Sequence, residues 1–273
     1  MTDQAIDCTL LLGKDHVVFG EYAIAAQAGG RTAAAISVGM DAFTRARAFK
    51  GDVDTPNEDA VLALDEGERT LLAVADAHYG HEASHTLLQR LAQLERIPRN
   101  VLDLYRELRE LAAPREPQAG GAGYGAGGGP GSASVSTLLV AIVDRGAGRC
   151  FGLCFGDSSL LVVGDPRQAA AVRHDRPQIF VTPEDPLSLH PARAVEFDLS
   201  VPAGATILVF SDGVDECCYR EPARSVQPHD IEALLRETSD VEGLVAAVCE
   251  LALTGVRGHP GGQDNIAIAA TRA

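Results

Sequence analysis

No C-x-x-C pair occurs among the six cysteines (Cys8, Cys150, Cys154, Cys217, Cys218 and Cys249), which excludes a zinc knuckle and a thioredoxin-like redox motif. Buried free thiols in a reducing compartment are the expectation. No apolar run reaches the roughly 18 residues that a membrane-spanning helix needs. The first residues, MTDQAIDCTLLLG, have neither a basic segment nor a long apolar one, so a cytosolic protein without a membrane partner is expected. Positive charge is scarce too. Lys and Arg number 23 against 38 Asp and Glu, a formal net charge of -15 that repels phosphate backbones and argues against nucleic acid as a ligand. No charge-rich or Pro-rich linker divides the 273 residues, which read as a single domain over 1–273.

What is present is ordinary for a folded chain, 46% hydrophobic and 22% charged, enough to bury a sizeable core. Short runs rich in Val, Ile, Leu and Ala, bounded by turn residues, predict strands at Cys8–Gly13, His16–Phe19, Ala33–Val38, Ala60–Leu64 and Thr70–Ala75, then at Ser136–Asp144, Arg149–Phe155, Ser158–Val163, Thr206–Phe210 and Asn265–Thr271. Helical spacing appears over Gly80–Arg96, where Leu87, Leu88, Leu91 and Leu94 recur, continuing near Asn100–Ala112, and again over Asp230–Thr238 and Val241–Thr254, with Asp240 as N-cap. Strands in hairpin-like succession with helices inserted in pairs predict an α+β fold, a four-layer α/β/β/α sandwich of two antiparallel sheets flanked by helices.

Two segments stand apart. Residues 119–134 read AGGAGYGAGGGPGSAS and contain a Gly-x-Gly-x-x-Gly match. A dinucleotide cradle needs a strand before that match and a helix after it. Here a helix precedes and a strand follows, so a flexible loop is predicted and a nucleotide-dependent oxidoreductase is disfavoured. Residues 165–191 are rich in Pro, Arg and His and are read as a lid over a site or a surface excursion.

Carboxylates recur at the edges of the predicted strands: Asn57-Glu58-Asp59 before one, Asp76-Ala77-His78-Tyr79-Gly80 after another, Ser211-Asp212-Gly213 after a third and Gln263-Asp264-Asn265 before a fourth. Each alone reads as a common turn. As a set they suit a hard-cation site, because strand ends on a rigid scaffold can aim short oxygen ligands at one point.

The series NED, DAHYGHEAS, GDSS, SDG and QDN, in that order from about residue 50 to the C-terminus, resembles the motifs of the metal-dependent type 2C (PPM) protein serine/threonine phosphatases. The resemblance implies two antiparallel sheets between helices and a binuclear Mn²⁺ or Mg²⁺ centre, with room for a third ion. It implies hydrolysis of phosphoserine and phosphothreonine in proteins by a metal-bound water. Carried over, Asp76 would bridge the metals, Asp212 and Asp264 would complete one ion, and Glu58 with the carbonyl of Ala77 would hold the other. Asp59 would orient water and His78 would protonate the leaving oxygen. Asp157 and Glu216 would hold the outer, weaker ion. The implied partners are phosphoprotein substrates, with a serine/threonine kinase or its targets beside them.

Three positions depart from the family pattern. Ala77 replaces the glycine of Asp-Gly-His, which a carbonyl ligand tolerates where the backbone suits alanine. Asp54 stands where relatives carry an arginine that grips substrate phosphate, and Ser159 stands where they usually carry an arginine after Gly-Asp-Ser. Arg45, Arg47, Lys50, Arg173 and Arg176 are the cations that could offset part of the loss at Asp54. The alternative reading is a catalytically weak, phosphatase-like binding or regulatory module. Clustered carboxylates and a retained His78 favour the enzyme, since uncompensated like charge is costly to keep.

Overall fold

The computed structural model describes residues 6–40, 55–113, 134–164, 170–173, 179–219 and 221–273. Strands β1 (Asp7–Leu12), β4 (Asp59–Asp65), β5 (Arg69–His78), β7 (Leu138–Asp144), β8 (Arg149–Phe155) and β11 (Val195–Ser200) lie side by side in that order in one sheet, with the short β6 (Val135–Ser136) also on β5. The second sheet runs β10 (Ala170–Arg173), β9 (Ser159–Val163), β12 (Thr206–Phe210), β13 (Ile266–Arg272), β3 (Thr32–Ser37), β2 (Tyr22–Ala26). All the pairings are antiparallel. Helices α1 (Glu82–Leu91) and α2 (Val101–Leu111) cover the first sheet, and α4 (Pro228–Glu237) and α5 (Val241–Thr254) cover the second, while the single turn α3 (Asp212–Asp215) follows β12.

Strand periodicity explains the layers. Successive residues of a strand face opposite sides, so a strand buried on both faces must be apolar throughout. In β4, Leu62 and Leu64 join Leu88 and Leu91 of α1 in one core, whereas Val61 and Ala63 pack between the sheets with Val209 and Ala267. In β12, Leu208 and Phe210 turn instead toward Leu244 and Val248 of α5. Each such Leu or Val contributes about 1.5–3 kcal/mol when fully buried. The result is the four-layer α/β/β/α sandwich the sequence predicts.

Differences fall at the edges. His16–Phe19 is not a strand, because a 3₁₀ turn at Gly13–Asp15 precedes it and Gly20 takes φ 81°. Three edge strands, β2, β10 and β11, lie outside the predicted set. The helical stretch beginning at Gly80 is broken after Leu91 and restarts at Val101, where Asn100 caps α2 by accepting from the Asp103 amide. Asp240 caps α5 as expected, through the Gly243 amide. Five of the six free cysteines are buried and Cys8 is exposed. Of the expected loop at 119–134 only Ser134 is described, and residues 165–169 and 174–178 of the expected lid lie outside the described residues. From 179 onward that stretch is packed: Val181 exchanges both backbone hydrogen bonds with Ser136, and Val181 and Leu189 are buried. No helix among the described residues is long and apolar enough to cross a membrane.

Candidate metal centre and active site

Register brings the acidic motifs to one end of the sandwich. Asp59 opens β4 and pairs with Asp76 near the end of β5, so the NED and DAH segments share an edge of the first sheet. In the second sheet β12 ends at Phe210, paired with Ile268 of β13, which puts SDG and QDN next to each other. Hydrogen bonds then join the sheets across the gap. Ser211 Oγ donates to Asp59 Oδ2 at 2.7 Å, and the Glu58 amide donates to Asn265 Oδ1 at 3.0 Å. The Asn265 amide in turn donates to Asp264 Oδ1 at 2.7 Å.

Each carboxylate is set by backbone chemistry around it. Glu58 is fully buried; its Oε1 accepts the Gly80 amide at 2.7 Å, and its carbonyl accepts the Ser84 hydroxyl. Asp76 is tied through its backbone to Thr137: its amide donates to Thr137 Oγ1 at 3.1 Å and its carbonyl accepts the Thr137 amide at 2.8 Å. Thr137 Oγ1 also meets Ser158 Oγ at 3.0 Å, which couples the GDSS turn to Asp76. Asp212 starts α3, and Gly213 beside it lies so near the Asn265 carbonyl that a Cβ would collide with it. That close approach requires glycine.

Charge repulsion is legible at the centre. Burial first, then the charge of Asp76, pushes the Asp157 carboxyl up to about 6. Asp215, one turn beyond Asp212, is pushed up to about 6 chiefly by burial, against the lowering influence of Arg173. His78 is partly exposed, with the Phe180 ring edge-on at 4.9 Å and Tyr79 at 6.4 Å. Tyr79 holds φ 65°, unusual for a side chain of its size. Behind this face the His85 ring packs against His81 at 4.6 Å and its Nε2 donates to the Asp59 carbonyl at 3.2 Å.

The structure thus gathers Glu58, Asp59, Asp76, Ala77, Asp212 and Asp264 at one edge, with His78 beside them and Asp157 next to Asp76. Glu216 belongs to the outer corner, 2.5 Å from Arg173 Nη2. Among the described residues no three His, Cys, Asp or Glu side chains stand close enough to form a finished metal cage. In kind the donors fit Mg²⁺ or Mn²⁺: all are hard oxygens, and among the described residues no His/Cys cluster competes for a softer metal. Asp54, Arg45, Arg47, Lys50 and Arg176 lie outside the described residues. Ser211, Asn265 and Thr137 lock the motifs together, a role that the sequence alone assigns to none of them. For Ser211 and Asn265 the signal was present, since both sit inside the SDG and QDN motifs. Thr137 and Arg173 depend on strand pairing that no local pattern reveals.

Residues 67–273 match the model of the stage II sporulation protein E (SpoIIE) family. No curated protein matches. Among solved structures, the chain is similar to the catalytic domain of the serine threonine protein phosphatase PstP in complex with 2 manganese ions, at 19% identity and TM-score 0.56, covering 97% of this chain and 99% of that one. It is similar also to PppA, a key regulatory component of T6SS in Pseudomonas aeruginosa (21% identity, 94% and 99% covered, TM-score 0.55). The Mycobacterium tuberculosis serine/threonine phosphatase PstP/Ppp matches at 21% identity, with 92% and 97% covered and TM-score 0.55. At these identities the likeness establishes the shared fold.

Proposed function

The chain belongs to the stage II sporulation protein E family, and from that membership we propose that it is a metal-dependent protein phosphatase acting on phosphoserine and phosphothreonine. The observation that carries the reading is the pair of hydrogen bonds, Ser211 to Asp59 and Glu58 to Asn265, that fasten three acidic motifs from two sheets at the edge where the Asp59–Asp76 strand pairing brings the fourth. A fold alone has no need to collect carboxylates there, because buried like charges repel.

In this reading Asp76, Asp212 and Asp264 would hold one divalent cation, and Asp76, Glu58 and the Ala77 carbonyl would hold a second. Bound, two such ions would supply Lewis acidity toward the phosphoryl oxygens and would make a water acidic enough to serve as nucleophile near neutral pH. The remaining work belongs to the protein. Asp59, its Oδ2 already engaged by Ser211, orients the attacking water through its carboxylate. His78, held edge-on by Phe180 at the partly open face, delivers the proton that the serine or threonine oxygen needs on leaving. The partners are phosphoproteins, and a serine/threonine kinase that makes them or is itself one of them. Manganese as the working ion is supported by its presence in the PstP structure at the same fold.

Substitution tests the reading. Asp76→Asn and Asp212→Asn should each abolish phosphopeptide hydrolysis, because losing an anionic ligand weakens the ion and the acidity of its water together. Near wild-type turnover by either variant at saturating Mn²⁺ would remove that residue from the centre. A wild-type protein that binds Mn²⁺ but does not turn over would be the binding module instead.

A further inference from the structure

Among the described residues, the outer corner of the site already contains a cation, Arg173. Type 2C relatives carry an arginine after Gly-Asp-Ser, and here that position is Ser159. In the β9–β10 ladder the residue directly opposite Ser159 is Arg173. The Arg173 guanidinium reaches across: Nη2 lies 2.5 Å from Glu216 Oε1, and Nη1 lies 3.3 Å from Asp215 Oδ2. Ser159 Oγ donates to that same Asp215 oxygen at 2.8 Å. Asp157, the remaining carboxylate of the corner, is also within the field of Arg173, which favours its ionised form.

A guanidinium is a permanent cation that donates hydrogen bonds and cannot ligate a metal. With Glu216 Oε1 engaged at 2.5 Å, a divalent ion could use that oxygen only by displacing Arg173, and it would meet a fixed positive charge in doing so. Side-chain exposures of 38% for Arg173 and 23% for Glu216 mean that solvent screens the pair, so it adds little to stability. What it decides is which cation sits at the corner.

We propose that Arg173 is the resident cation of the outer corner in place of a third metal ion, restoring from the neighbouring strand the guanidinium that Ser159 lacks. The inference rests on the binuclear reading above and narrows it: the inner ions are metal, the outer charge is the protein's own. Arg173 is then a positioning residue, holding Asp215 and Glu216 where α3 ends and thereby the turn that begins with Asp212.

The experiment is Mn²⁺ binding to the chelator-stripped chain, followed by isothermal titration calorimetry into the millimolar range. Wild type should bind the inner ions alone, with an isotherm that Asp157→Ala leaves unchanged. Arg173→Met should gain a further, weaker ion, and Asp157→Ala in that background should remove it. Arg173→Lys, which keeps the charge, should bind as wild type does. A third, weaker ion in the wild-type protein that Asp157→Ala abolishes would overturn the proposal while leaving the inner pair intact. So would a folded Arg173→Met that gains no ion. Should Arg173→Met fail to fold, the comparison of wild type with Asp157→Ala still decides. No Mn²⁺ bound by wild type at all would sink the binuclear reading itself, and this inference with it.

Discussion

At the scale of single residues, two histidines, His78 within the DAHYGHEAS segment and His85 directly after it, have opposite assignments. His78 is partly exposed and touches aromatic rings, a setting that leaves its nitrogens available to a ligand. As the proposed general acid it should matter only when the leaving group needs a proton. His78→Gln should slow phosphoserine-peptide hydrolysis by about 10²–10⁴-fold, while hydrolysis of p-nitrophenyl phosphate falls much less. Equal losses on both substrates would assign it a structural role. His85 is buried, donates from Nε2 to the Asp59 carbonyl, and leaves Nδ1 without a hydrogen-bond partner. Protonating Nδ1 would bury an unpaired charge, so desolvation, aided by neighbouring His81, lowers its pKa from 6.5 to about 3. Below pH 6.5 the unfolded chain takes up a proton that the folded one refuses. Stability from this residue is therefore intact above pH 6.5 and is lost as pH falls toward about 3. Urea midpoints measured across that window should fall for wild type and fall less for His85→Gln; parallel curves would contradict the assignment.

At the scale of elements, the strand ends aim the chemistry, and at Gly213 the turn α3 comes close to the backbone just before β13. A methyl group there would meet the Asn265 carbonyl, separating α3 from the start of β13. Gly213→Ala should cost about 1–3 kcal/mol of stability, as overpacked sites do, and should weaken Mn²⁺ binding because Asp212 and Asp264 flank the contact. Unchanged melting and unchanged metal affinity would show that the two motifs are not held together there. The sequence made the central elements legible for a related reason. Strands such as β4, β5, β7 and β12 are buried on both faces and must be continuously apolar, and the motifs abut them directly. Edge strands obey a weaker rule. In β2 the residues Tyr22–Ala25 are half-buried, and β11 alternates polar and apolar residues on an edge, so neither stood out. Arg173 was legible as a cation, but its place beside Glu216 depends on the register of β10 against β9, which no spacing within the sequence reveals.

At the scale of the whole molecule, a net charge of -15 and a concentrated acidic edge make the free protein poorly suited to a phosphate dianion. Divalent ions reverse the sign where it matters, so metal loading and substrate affinity should rise together. The architecture is that of the SpoIIE family over residues 67–273, and its two sheets supply the rigid frame in which four strand ends meet. The central claim is that this meeting point is one metal-dependent hydrolytic centre. Its most direct test is inorganic phosphate release from a phosphoserine peptide by the chelator-stripped protein as Mn²⁺ is added back. No release is expected without metal, and a saturable rise is expected with Mn²⁺ that excess chelator reverses. Release that proceeds undiminished in chelator, or none at any Mn²⁺ concentration, would contradict it.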